Sequence, residues 1–303
     1  MGKKAGKKTI IIIVVAVAVV LVTAIVLIFV NKKEAYRLLK VFEVDGDANV
    51  SRQSMGDIVP YSNMVLESGD RVTLNTGKMT LQADEDKYIY LEEQTELALK
   101  ASGDSKNSKT TIELEKGAIT NDVQKKLSDD SSYEINTPNS TMSVRGTVFR
   151  VWIYEIDGVK YTRVSVFDGT VVTRLVFKDG TVDTKEVRVE KGKEVIIYED
   201  DTTTNYLSDP TDIDYDTLPD DVLELLVEVN DDGTEVSITN PEIKKILEGP
   251  YTVTFMYNGS VFGTQTVSKG DKATEPTLKP EDSGSWNFDF NKPITRNMKI
   301  EWK

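Results

Sequence analysis

The chain has 303 residues, a net charge of −13, and neither a cysteine nor a histidine. The two absences exclude disulfides, thiolate and imidazole metal sites, cysteine nucleophiles and every catalytic arrangement that works through an imidazole. The acid excess repels phosphate backbones and anionic surfaces, which disfavours a nucleic-acid partner.

Residues 1–9 are a short basic segment, read as a cytoplasmic tail. From Ile10 to Val30 the sequence is IIIIVVAVAVVLVTAIVLIFV, 21 residues without a charge. As a helix this run spans about 31 Å, close to the ~30 Å hydrocarbon thickness of a bilayer. It ends in Phe29, Val30, Asn31 and Lys32 rather than in small residues, so it reads as an uncleaved single-pass anchor and not as a signal peptide. Lys3, Lys4, Lys7 and Lys8 nearly balance Lys32, Lys33, Arg37 and Lys40, and orient the amino end inward only slightly. Every acid lies beyond Lys33, which suits a soluble body outside the cell membrane.

EAYRLLK, residues 34–40, reads as a brief continuation of the helix. From Val41 short runs rich in Val, Ile, Thr and Tyr alternate with polar residues, as at Val72 and Leu74 or Ile112 and Leu114. Asp157-Gly158, Asp168-Gly169 and Asp179-Gly180 mark turns. The pattern predicts an antiparallel all-β sandwich or roll of ten or so strands over residues 41–199. Residues 199–232 contain thirteen acids and no base, and 200–249 reads as an exposed acidic linker. It holds two short helices, one begun by Asp220 and Asp221, where negative charge suits the helix dipole, the other begun by Pro241 and stopped by Gly249-Pro250. Residues 250–303 read as a small β module with strands in YTVTFMYNG, VFGTQTVSKG and ITRNMKIEWK. The fold class is therefore mainly β behind one membrane helix.

Few residues invite chemistry. Asp212, Asp214 and Asp216 alternate as in a calcium loop, but Thr217 and Leu223 stand where such a loop needs Gly and Glu. A hydrated acidic stretch explains them better, and no metal or cofactor is expected. The nucleophile-elbow, P-loop and dinucleotide fingerprints are missing, so no catalytic residue can be named and the chain is read as non-enzymatic. In the strand TVFRVWIYE, Phe149, Val151 and Ile153 share the core face, while Val148, Arg150, Trp152 and Tyr154 share the other. Gly146 suits a conformation closed to other residues. Arg145 either satisfies buried acceptors or binds a ligand, and Trp152, Tyr154 and Trp286 are the candidate partner contacts.

The string TPNSTMSVRGTVFRV resembles the signature of FecR domains, with Thr137, Pro138, Arg145, Gly146, Thr147 and Phe149 at its fixed positions. SGDRVTLNTGKMTLQ, KYIYLEEQTELAL, IELEKGAI, YTRVSVFDGTVVT and VEKGKEVII follow the rest of that family's pattern in order. The resemblance implies an extracytoplasmic β domain for sensing or binding, without catalytic residues. The best-known members relay an outside signal through one membrane helix to a cytoplasmic segment that controls a sigma factor. Here only nine residues precede the apolar run, so such control would need a membrane partner as relay. YTVTFMYNG, TQTVSKGDKATEP, FDFNKPIT and Trp302 resemble the internalin B-repeat, or Listeria-Bacteroides repeat, which implies a β-grasp-like module with interaction or spacing roles.

The leading expectation is a membrane-anchored protein that binds a cell-envelope polymer or surface protein. The alternative is a transmembrane sensor acting through a membrane partner, and a histidine-free carbohydrate-active enzyme comes third.

Overall fold

The computed structural model describes residues 39–103, 107–124, 131–144, 146–198, 206–229, 235–237 and 243–303. The expected anchor, residues 10–30, lies outside them. Among the described residues no helix is long and apolar enough to cross a membrane. The described residues are mainly β with almost no helix, and their sheets are largely antiparallel. Leu39 and Lys40, expected at the end of a helix, instead open the first strand.

That strand, β1 (Leu39–Arg52), pairs along its length with β3 (Arg71–Ala83) and at its far end with the short β2 (Gly56–Ile58). β4 (Lys87–Leu91) and β5 (Thr95–Ser102) both lie against β3, β4 on its second half and β5 on its first. β6 (Lys109–Val123) is the pivot. Its first half pairs with β5 and, in parallel, with β7 (Ser132–Thr137); its second half pairs with β4 and β9 (Val148–Ile156). Two layers therefore diverge from β3 and β6.

One layer runs on through β7, β8 (Ser140–Val144), β11 (Thr170–Leu175) and β12 (Val187–Glu190). The other runs through β9, β10 (Val159–Asp168), β13 (Lys193–Tyr198) and two short edge pieces, β14 (Tyr206–Leu207) and β15 (Thr211–Asp212). The swing of β6 needs Gly117 at its middle. This residue has φ +82°, and a side chain there would meet Thr95 Oγ1 at 2.4 Å and Thr95 Cα at 2.5 Å. Only glycine lets the strands come so close at that angle.

Between the layers lies the main core. Val72, Leu74, Leu81, Ile89, Leu97, Ile112, Phe149 and Val151 are among its wholly buried members. Burial of each such side chain contributes roughly 1.5–3 kcal/mol. Across the second layer the register places Lys40, Gln82, Tyr88, Asp122 and Val148 in one row of neighbours. The Asp157-Gly158 turn joins β9 to β10 as a hairpin with both residues at positive φ, as its sequence predicts. Asp168-Gly169 does something else: it is the corner where the chain leaves the β9/β10 layer for β11 in the opposite one.

The acidic stretch is less exposed than its composition predicts. A 3-10 turn (Tyr215–Thr217) and α1 (Asp220–Leu225) bury Ile213, Leu218, Val222, Leu223 and Leu226 against Phe167 on the outer face of β10. Charges on one side of a short segment do not stop apolar residues on the other from packing. α2 (Ile243–Glu248) adds Ile243 to this cluster. β16 (Val227–Val229) and β17 (Glu235–Ser237) form a two-stranded sheet. The chain then builds a separate three-stranded sheet, β19 (Ser260–Val267), β18 (Tyr251–Tyr257) and β20 (Met298–Glu301) in that order, with β18 and β20 parallel. Arg296 pairs with Asp220 and so ties this module to α1.

Candidate functional site: an aromatic row on the outer sheet

Alternation along β9 sends Phe149, Val151 and Ile153 into the core and Arg150, Trp152 and Tyr154 to the outer face. Antiparallel pairing then sets the neighbours. Tyr154 lies opposite Tyr161 on β10, Tyr161 opposite Tyr198 on β13, and Tyr198 opposite Tyr206 on β14. Four tyrosines thus stand in register across four strands, a row of about 14 Å at roughly 4.8 Å per strand. Their ring centroids are 5.1, 5.5 and 5.0 Å apart along the row, and Trp152 stacks on Tyr154 at 4.3 Å. Trp152, Tyr154, Tyr161 and Tyr198 are half-buried, and Tyr206 is exposed.

The charged groups beside the row are spent on one another. Arg150 grips Glu92 through Nε at 2.6 Å and Nη2 at 2.7 Å, and its guanidinium lies 5.0 Å from the Trp152 ring. Arg163 grips Glu194 in the same two-pronged way at 2.8 and 2.6 Å, and Ser165 donates to Glu194 at 2.9 Å. Burial holds the Tyr154 phenol above its ordinary range, partly opposed by Arg163. The row therefore presents neutral rings with hydroxyl tips, on a face whose ion pairs are already closed. That chemistry suits an elongated ligand with apolar surface and hydrogen-bonding groups.

The signature residues take structural places. Thr137 is buried, Pro138 is exposed in the β7–β8 turn, and Thr137 Oγ1 lies 2.6 Å from Ser140 Oγ. Thr162 on β10 donates to Asn139 at 2.7 Å, and Asn139 reaches the Ile197 carbonyl at 3.4 Å. This polar cluster joins the turn of one layer to β10 and β13 of the other. Thr147 Oγ1 donates to the Thr170 carbonyl at 3.1 Å. Gly146, at φ +65°, places its carbonyl so close to Gly169 that a side chain there would lie 2.5 Å from it. Phe149 is wholly buried. Arg145 lies outside the described residues.

Of the three candidate partner contacts, Trp152 and Tyr154 are brought together in the row, and Trp286 is not. Trp286 is 5% exposed and packs in the core of the C-terminal module with Phe255, Phe262 and Trp302. Its expected role as a contact is corrected: a small module has few large side chains, and its tryptophans fill the middle. Asp212 pairs with Lys193 at 2.7 Å, while Asp214 caps the 3-10 turn by accepting from the Asp216 backbone amide. Among the described residues no group of three acidic side chains is placed to hold a metal ion.

The family described as FecR protein matches residues 70–172. A FecR domain is present there. Its match takes in Trp152, Tyr154 and Tyr161, whereas Tyr198 and Tyr206 fall beyond it. No curated protein matches the chain. Two crystal structures of a proposed anti-sigma factor from Parabacteroides distasonis are similar to it. One, at 1.65 Å resolution, shares 12% identity and a TM-score of 0.40 over 77% of this chain and 98% of that one. The other, at 2.50 Å, shares 14% identity and a TM-score of 0.36 over 46% of this chain and 59% of that one. The chain thus spans less than two thirds of the latter's length.

Proposed function

We propose that the chain is a signalling regulator of the FecR kind, whose β domain receives its input at the aromatic row. The observation that carries this reading is the FecR domain at residues 70–172; the row adds a surface suited to a ligand. Residues 10–30 anchor the protein with the body outside the cell, and the input passes through that helix to a partner in the membrane. The protein works without catalysis and without a cofactor. The C-terminal module, in line with its B-repeat resemblance, spaces the domain or adds a contact to an envelope polymer or surface protein.

The second reading is a tethered binder that sends no signal. It draws on the same row, since an anchored domain gains from high local concentration at the surface. The two separate in cells. Transcript profiles would be compared for the native chain, for Tyr161→Ala with Tyr198→Ala, and for a chain whose residues 10–30 are replaced by polyleucine. A transcriptional response lost in both altered chains supports signalling. A response absent from the native chain, with an envelope component retained by native and polyleucine chains but not by the tyrosine variant, supports the plain binder instead.

A further inference from the structure

Among the described residues, a group of exposed apolar side chains lies far from the aromatic row, beside the start of β1. Val59 is 82% exposed, Tyr61 65%, Val65 60% and Phe42 41%. Tyr61 and Val65 come to Phe42 because residues 61–66 fold back along the start of β1, and Val59 leads into that segment from β2, whose Ile58 pairs with Val50 at the far end of β1. Val41 N–H donates to the Met64 carbonyl at 2.9 Å, Asn63 N–H to Val41 at 2.7 Å and Leu66 N–H to Leu39 at 2.8 Å, with a bridge between Lys40 and Val65. A soluble surface seldom gathers so many large apolar groups without a use.

We propose that this patch rests on the bilayer surface. The argument is one of reach. If residues 10–30 cross the membrane, as the functional reading above supposes, only residues 31–38 separate the bilayer from Leu39. Eight residues cannot extend further than about 27 Å. The start of β1, and the patch beside it, are therefore confined near the lipid at high effective concentration, where even a weak contact is populated. The chemistry fits. Tyr61 has the amphipathic ring that favours membrane interfaces, and Val59, Val65 and Phe42 supply apolar area. Two nearby cations have partners: Arg52 pairs with Asp70 at 2.7 Å and with Glu67 at 3.1 Å, while Lys40, still charged, donates to Asn63 at 3.2 Å and lies over the Phe42 ring. Because the body is acidic, the contact is apolar rather than electrostatic and is strongest on zwitterionic lipid.

A chain without cysteine takes a single fluorescent label cleanly. The full chain is reconstituted in phosphatidylcholine vesicles with an environment-sensitive probe at Val59→Cys, at Val65→Cys, or, as a distant exposed control, at Val261→Cys on β19. Flotation with the vesicles reads the anchor; quenching by doxyl-labelled lipid reads the patch. The expected result is flotation of all three, with the first two probes shifted to the blue and quenched at least roughly twofold more than the control. Flotation with equal quenching at all three sites overturns the proposal and leaves the anchor standing. A blue shift without lipid quenching also overturns it, because another protein or a second copy then covers the patch. Failure to float removes the anchor and the proposal together.

Discussion

Arg150 and Glu92 hold each other in a parallel two-pronged contact of 2.6 and 2.7 Å, tying β9 to the end of β4 across β6. Arg150 is 4% exposed and the Glu92 side chain 19%, so removing the arginine leaves a largely covered carboxylate without its cation. Arg150→Ala is expected to lower stability by about 3–5 kcal/mol, while Arg150→Lys, which keeps the charge but loses the fork, falls between. Urea unfolding followed by tryptophan emission checks both, since Trp152 lies against the guanidinium. An Arg150→Ala loss under 1 kcal/mol would mean that the pair is a bystander.

Gly117→Ala tests the pivot of the two layers. The added methyl would sit 2.4 Å from Thr95 Oγ1 at a φ of +82°, so both overlap and backbone strain oppose it. A loss of about 2–4 kcal/mol is expected from this one carbon. Gly158→Ala is the comparison: it shares a positive φ of +81° but has open space around it, so strain acts alone and the loss is about 1–2 kcal/mol. Equal losses would place the cost in strain and not in the close approach.

Alkaline pH should unfold the protein through its buried phenols. Burial first, and then the Asp122 carboxylate, holds Tyr133 far above the ordinary phenol range. Tyr90 is pushed up to about 12 by burial, with smaller contributions from Asp122 and Tyr88. Unfolded phenols lose their protons near 10.0, so above that pH the unfolded state has shed protons that the folded state still binds. Stability is therefore fully present below pH 10.0 and falls as pH rises beyond it. Tyr133 also donates to Asn121 at 2.8 Å, so Tyr133→Phe is expected to cost about 1–2 kcal/mol at neutral pH and to flatten the alkaline decline. Urea midpoints across pH check the slope.

The acidic stretch offers a fourth test. Leu223 is wholly covered in the cluster that α1 makes with Phe167. Leu223→Ala should loosen that cluster by about 2–5 kcal/mol while leaving the main core intact. Limited proteolysis should then cut between Asp209 and Leu226 first. Unchanged protection would show that the stretch is held by something other than this packing.

Alternation revealed most of the strands and the two faces of β9, because the side-chain period of a strand is a local property that neighbouring residues report. It could not reveal the aromatic row. Tyr154 and Tyr161 flank a hairpin and their pairing follows from the Asp157-Gly158 turn, but Tyr198 and Tyr206 join them only through a register set by distant strands. The same limit hid the burial of Leu218 and Leu223, since thirteen acids dominate the composition of a stretch whose few apolar residues share a side. Arg150 was visible as an outward-facing cation but not as half of a pair, because Glu92 lies 58 positions away. Trp286 was misplaced for the opposite reason: in a three-stranded module, a tryptophan is needed inside.

β9 runs nine residues, from Val148 to Ile156. Val148, at one end, belongs to the row of neighbours that begins at Lys40, whereas Tyr154 lies six residues along the same strand, about 20 Å away at 3.4 Å each. The rings and the start of β1 are thus offset by about 20 Å along the strand direction, with the intervening strands between them. If the patch beside the start of β1 rests on a bilayer and the rings take the ligand, as proposed, a molecule too bulky to pass beside that patch can still lie across the rings.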